Sequence, residues 1–348
     1  MSDTTPEAMI EFDRVSIVFG DDPDRALPLM DKGRSRPDIQ KATGQILGVH
    51  DCSLSVARGE ISVLMGLSGS GKSTLLRAVN GLNKVTRGRM LVRAHDGEMI
   101  DVATCAPARL RGMRRGDVAM VFQSFGLLPW RTVIDNVAFG LEMSGMARPA
   151  RLAKAREVLA TVNLEDWAEK KVSELSGGMQ QRVGLARAFA TDAEILLMDE
   201  PFSALDPLIR TRLQDELLDI QDKLRCTIVF VSHDLEEAVK IGNSISIMEG
   251  GRIVQTGRPE DIVLRPADQY VRDFVAQLNP LSVLRAIDVM EPVSTAPDPA
   301  RIVGPDTPLR DTLQLFAASD AYVWVGSADA PTGEISPRAV FAVLRPQA

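Results

Sequence analysis

At 348 residues, with 45% hydrophobic and 25% charged side chains, the chain has the balance of a globular protein of about two domains, without bulk disorder. Its 47 acidic residues against 40 Lys and Arg leave a formal charge of -7, which argues against broad nucleic-acid binding, where a basic surface must displace condensed counterions. Cys52, Cys105 and Cys226 form no C-x-x-C pair, so they read as small core residues in a reducing compartment, and neither a disulfide framework nor a zinc site is expected. No basic region followed by an apolar stretch opens the chain, and no run approaches the roughly 18 apolar residues of a membrane span. Any action at a membrane is therefore expected to go through a partner.

The first strand closes on Val15-Ser-Ile-Val-Phe19-Gly20. A segment from Asp21 to Val49, with Ala26-Leu-Pro-Leu-Met-Asp-Lys-Gly33 and Thr43-Gly44, separates it from a second strand around Asp51 to Val56. His50 and His95 match no motif and read as surface residues, His95 beside an Asp96-Gly97 hairpin turn. Four short apolar runs then each stop at a distinctive group: Ile61 to Met65 at Gly66, Val118 to Phe122 at Gln123, Ile195 to Met198 at Asp199-Glu200, and Thr227 to Ser232 at His233. Runs of this length suit strands buried on both faces of a parallel sheet. In such sheets ligands sit beyond the carboxyl ends of the strands, so the four endings are expected to converge on one nucleotide.

The segment Gly66-Leu67-Ser68-Gly69-Ser70-Gly71-Lys72-Ser73-Thr74 has the composition of a phosphate-binding loop. Its three glycines permit a tight turn with inward-facing N–H groups, and a helix from Ser73 to Leu82 adds its positive end. Lys72 then reaches the outer phosphates and the Ser73 hydroxyl suits Mg²⁺. Asp199 fits the role of holding the magnesium water shell, and Glu200 that of the general base that polarises the attacking water. Farther along, Leu175-Ser176-Gly177-Gly178-Met-Gln-Gln-Arg182 reads as a turn entering a helix over Met179 to Ala190, with Met179, Val183, Ala186 and Ala190 on one face. A helix over Arg151 to Val162 carries Leu152, Ala155, Val158, Leu159 and Val162 at helical spacing.

The order of these motifs, with Ser203-Ala204-Leu205-Asp206 and His233, resembles the ATP-binding cassette family. The resemblance implies an α/β P-loop NTPase fold over residues 1–280: a RecA-like parallel-sheet core, an antiparallel β subdomain and a helical subdomain at about 126–188. It implies a homodimer in which the loop of one subunit holds ATP and Mg²⁺ while Ser176, Gly177 and Gly178 of the other close the site. Carried over by motif, Gln123 senses magnesium and the transport partner, Asp206 makes a cross-dimer contact, His233 touches the γ-phosphate and Phe19 stacks on adenine. Leu127, Leu128 and Trp130, beside the helical subdomain, are where such cassettes receive a short helix from a membrane subunit.

The insert at 21–49, Phe122-Gln-Ser-Phe125 and Ser203 to Arg210 resemble more narrowly the ATPase subunits of quaternary-amine importers, whose cargo is glycine betaine, proline betaine or choline. Integral-membrane permease subunits, an external substrate-binding protein and a peripheral place on the cytoplasmic membrane face follow from that resemblance. Importers of other small solutes, and a soluble cassette acting on nucleic acid or ribosomes, stay open, although the acidic balance and the absence of a long coiled-coil insertion weigh against the latter.

From about Leu281 a second unit is expected: a helix after Asp306-Thr-Pro with Leu309, Leu313 and Phe316 on one face, a strand over Tyr322 to Val325, a polar turn, a strand over Gly333 to Ser336, and a helix near Ala339 to Leu344. The order resembles one cystathionine-β-synthase (CBS) repeat over 281–348. Ala339 stands where adenosine-binding repeats place an Asp, so no nucleotide is expected there. The same segment carries eight Asp or Glu against four Arg over residues 286–348, an unfavourable surface for anionic lipid.

Overall fold

Among the described residues ten strands precede residue 260: β1 Ala8–Phe19, β2 Ile46–Ala57, β3 Ile61–Met65, β4 Arg87–Arg93, β5 Met99–Asp101, β6 Val118–Val121, β7 Ile195–Asp199, β8 Thr227–Val231, β9 Ser244–Glu249 and β10 Arg252–Gly257. They come from a computed structural model that describes residues 7–124, 126–203, 205–295, 298–318, 321–327 and 330–344. Phe125, Ala204 and the tail-turn residues 328–329, named above within motifs, lie outside the described residues.

The four apolar runs are β3, β6, β7 and β8, and they pair parallel within a six-stranded sheet of order β10-β9-β3-β8-β7-β6. All five residues of β3, β7 and β8 are buried, as expected of strands covered on both faces. The register sets Leu64 opposite Val231 and Val231 opposite Asp199. Gly66, Glu200 and His233 therefore leave the sheet within two residues of one row, at its carboxyl edge. A second sheet of order β2-β1-β4-β5 is antiparallel, and the two share an apolar cluster that includes Ile17, Val49, Leu64, Leu75, Val229 and Met248.

The helical subdomain has its own core. Helices Val133–Val137, Arg148–Thr161 and Gly177–Phe189 bury Val137, Ala155, Leu159, Val183, Ala186 and Ala190 together, with Met179 packed at the edge. The helical spacings in the sequence thus mark the faces that are buried. The tail also packs on itself: helices Leu309–Ala318 and Pro337–Leu344 flank β12 Val323–Ser327 and β13 Ala330–Ile335, which are antiparallel. A short strand that the sequence did not suggest, β11 Ile302–Val303, adds to β12 in parallel.

His95 is exposed, as expected, but His50 is not a surface residue. It is 7% exposed, its N–H donates to Gly251 O at 2.7 Å, and Arg252 Nη2 lies 2.8 Å from its Nδ1. Its position as the fifth residue of β2, against the β9–β10 turn, is a long-range packing effect with no local signature. Burial first, and then the Arg252 cation, hold its pKa below the usual value. The folded state therefore binds fewer protons at His50 than the unfolded chain, and stability present above about pH 6.5 is lost as pH falls toward the folded value. The thermal unfolding midpoint should fall between pH 7.5 and 5.5, and His50→Gln should flatten that dependence; an unchanged slope in the variant would contradict the assignment.

Candidate functional site

Gly66, Gly69 and Gly71 have φ of +141°, +78° and +105°, a backbone that L side chains rarely adopt, and they turn the loop tightly from β3 into helix Lys72–Val79. Close approach reinforces the requirement at Gly66, where a Cβ would lie 2.1 Å from Met248 O. On that side Gly251 N donates to Ser70 O at 3.0 Å, so the β9–β10 turn backs the loop. Ser70 is buried and its Oγ has no partner among the described residues, which leaves a polar atom of the loop for a ligand. Leu67 is 62% exposed, and Ser68 and Gly69 also face solvent: the outer rim of the loop is open.

Lys72 folds back over the loop, donating from Nζ to Gly66 O at 2.8 Å and Leu67 O at 3.1 Å. The ammonium has three donors, so one remains for a phosphate oxygen. Burial lowers its pKa while the carboxylates of Glu200 and Asp199 oppose that shift. Ser73 donates to Asp199 Oδ1 at 2.7 Å. Arg77 grips the other carboxylate oxygen with Nη2 at 2.8 Å and Nε at 3.1 Å. Arg77 was not anticipated, although it stands four residues after Ser73 and so shares its helix face. Among the described residues no group of three or more His, Cys, Asp or Glu could hold a metal. The converging Ser73 hydroxyl and Asp199 carboxylate instead offer two hard oxygens, which suits a cation that keeps most of its shell as water and phosphate.

Glu200 has φ +47°, a left-handed backbone for a non-glycine residue that costs on the order of 1–3 kcal/mol. Its N–H donates to Val231 O at 3.1 Å, and Ser203 Oγ donates to its carbonyl at 3.0 Å. Held this way, Glu200 places Oε2 3.2 Å from His233 Nδ1, so the two candidates meet. A network unrecognised in the sequence fixes the His233 turn. Ser232 Oγ donates to Glu237 Oε2 at 2.5 Å, Gln214 Nε2 donates to Glu237 Oε1 at 3.0 Å, and Arg210 Nη1 donates to Asp234 Oδ2 at 2.8 Å. Burial raises the Glu237 pKa. The sequence signal was Asp234-x-x-Glu237, a helix cap in which Glu237 N donates to Asp234 Oδ1 at 3.2 Å.

Phe19 ends β1 opposite Ile46 and is 39% exposed. A Cβ on Gly48 would meet its Cε2 at 2.8 Å and Thr74 Cγ2 at 3.2 Å, so the ring lies beside the end of the phosphate loop. Gln123, by contrast, follows β6 in an exposed turn and is not engaged with Ser73 or Asp199. Ser176 caps helix Gly177–Phe189, its Oγ accepting from Met179 N at 3.4 Å, and stays exposed with Gly177, while Gly178 is half-buried against Ile209. Asp206 likewise caps helix Pro207–Leu224 by accepting from Ile209 N at 3.1 Å. Neither cap makes a hydrogen bond to the 66–74 loop of its own chain.

A family model described as ABC transporter matches residues 49–203, the span that holds this loop, the Ser176 turn and Asp199-Glu200. The glycine betaine/proline betaine transport system ATP-binding protein ProV of Salmonella typhimurium strain LT2 is 52% identical over 272 residues, covering 78% of this chain and 67% of that protein. The chain belongs to the ABC transporter family. This cassette is also 48% identical over 269 residues to the trimethylamine N-oxide transport system ATP-binding protein TmoW of Ruegeria pomeroyi, 77% of each chain being covered. Among solved structures it is similar to a dimeric post-hydrolysis state of the ATP-binding cassette MJ0796 bound to ADP and Pi. There the TM-score is 0.60 and the identity 29%, over 72% of this chain and 99% of that one.

Proposed function

We propose that this chain is the ATP-hydrolysing, energy-coupling subunit of an importer for small solutes with a fully substituted cationic nitrogen, such as glycine betaine, proline betaine or choline. The observation that carries the reading is the pairing of a formed phosphate loop, with Glu200 and His233 in contact beyond it, and a signature turn that stays exposed. The cargo follows the relatives, which are transport proteins for betaines and trimethylamine N-oxide. Lys72 and the loop amides hold the phosphates, Phe19 takes the adenine, and Glu200 removes a proton from the attacking water while His233 holds the geometry. Ser73 and Asp199 would hold Mg²⁺, which supplies charge neutralisation at the phosphates, and Gln123 would join them on closure.

A second copy supplies Ser176, Gly177, Gly178 and Asp206. Leu208, 80% exposed beside Asp206, supports an interface at that end of the helix. No helix among the described residues is long and apolar enough to cross a membrane, so coupling runs through permease subunits, with the cassette peripheral at the cytoplasmic face and an external binding protein delivering cargo. The permease helix would dock in a cleft of about 340 Å³ that Phe122, Phe139 and Leu82 help to line, and Trp130, 69% exposed in the segment that follows Gln123, offers a further apolar anchor. We assign residues 1–280 to the cassette, with the helical subdomain at about 126–188, and 281–348 to a CBS-like half module; the separate apolar cluster around Val323, Val325 and Ile335 supports that division. Reconstitution with its permease and binding protein should give ATP-dependent uptake of labelled glycine betaine, reduced by excess choline, proline betaine or trimethylamine N-oxide. ATP-driven uptake of none of these would overturn the cargo class.

A further inference from the structure

The insert between β1 and β2 is a built element. Helices Leu27–Asp31 and Arg36–Thr43 bury Ala26, Met30 and Ile39 against Val18 and Leu47, forming a small core of their own on the edge of the β1–β2 pair. The second helix is fixed at both ends. Ser35 Oγ accepts from Asp38 N, Pro37 sits in its first turn, and Gly44 closes it with φ +74°. This anchoring sets the position of Arg36, the first helical residue, which points to the phosphate loop.

Arg36 Nη1 donates to Gly69 O at 3.0 Å, Nε to Leu47 O at 2.7 Å and Nη2 to Gly48 O at 3.3 Å. One rigid guanidinium therefore ties the outer bend of the loop to β2 at the point where Phe19 crosses Gly48. The Gly69 carbonyl and the Ser70 N–H belong to one planar peptide and point opposite ways. Holding the carbonyl outward keeps that N–H inside the loop, where it donates to Leu67 O at 3.1 Å. All three acceptors are neutral, and among the described residues no carboxylate lies within ion-pair distance of Arg36. Burial of the guanidinium lowers its pKa, as expected of a cation without a counter-ion.

We propose that Arg36 is a positioning residue for nucleotide: the insert holds the phosphate loop in its binding shape from outside and sets an uncompensated positive charge behind it, favouring the triphosphate. The proposal rests on the reading of residues 66–74 as the nucleotide loop. It gives the insert a task in ATP affinity and none in the chemical step.

The test compares the full-length chain with Arg36→Ala, Arg36→Lys and Lys72→Ala, by equilibrium binding of ATP with Mg²⁺ and by ATPase kinetics of the assembled transporter. Arg36→Ala should weaken ATP binding and raise KM by about tenfold, the scale of one charged hydrogen bond, with kcat near the native value, while the unfolding midpoint falls because the ties to Leu47, Gly48 and Gly69 are lost. Arg36→Lys, which keeps the charge but not the three-way fork, should fall between the two. An ATP affinity for Arg36→Ala within twofold of native would overturn the proposal, as would a fall in kcat and unfolding midpoint with KM unchanged, the pattern of a merely structural residue. Lys72→Ala separates the two levels: if it abolishes binding while Arg36→Ala does not change it, only the role of the insert is wrong. If Lys72→Ala binds ATP as the native chain does, the loop assignment itself fails.

Discussion

Glu200→Gln is expected to bind ATP as the native chain does and to hydrolyse it about 10²- to 10⁴-fold more slowly, the range spanned by loss of a general base. The substitution keeps side-chain length and removes the charge that accepts the proton. The backbone that presents the residue is held by Val231 O and Ser203 Oγ and does not depend on the carboxylate. With binding assigned by the proposal to Lys72 and the loop, affinity and turnover are expected to separate. Steady-state ATPase of the assembled transporter is the measurement, and a rate within a few-fold of native would remove Glu200 from the role of base.

An effect as large is expected when damage is distributed between two subunits. In a Glu200→Gln background, which traps nucleotide, one chain of a mixed dimer carries Lys72→Ala and the other Ser176→Arg. If loop and turn meet across the dimer, both lesions fall in the same site and the other is intact, so the dimer should retain a single ATP. Placing both substitutions in one chain damages both sites, and no ATP should remain. A site closed within each chain gives the opposite pattern. The geometry favours the shared site because Ser176 and Gly177 stand exposed at a helix N-terminus, whose positive end suits a phosphate, and the Ser176 cap serves Met179 N and not the 66–74 loop of its own chain.

Much of this architecture is legible in the sequence because its causes are local. Uninterrupted apolar runs such as Ile61 to Met65 report burial on both faces, and the polar group that ends each run marks the carboxyl edge of the sheet. The glycine pattern at 66, 69 and 71 reports positive φ directly. What escapes is set by contacts between distant segments. His50 looks like any strand-end polar residue until the β9–β10 turn covers it. Arg77 and Glu237 are each one charge among many on a helix, and only the fold shows that they grip Asp199 and Ser232. Arg36 belongs to a segment without periodicity long enough to read, and its target lies 33 residues away. Gln123, expected to sense magnesium and the transport partner, follows β6 in an exposed turn.

If ATP is bound between two copies of this chain, nucleotide must drive their association. Analytical sedimentation of the Glu200→Gln variant, with and without saturating ATP and Mg²⁺, measures that association. A shift from monomer to dimer mass on addition of ATP, reversed by Ser176→Arg, is the result expected of a nucleotide that bridges Lys72 of one subunit and Ser176 of the other. A chain that remains monomeric with ATP bound would contradict it.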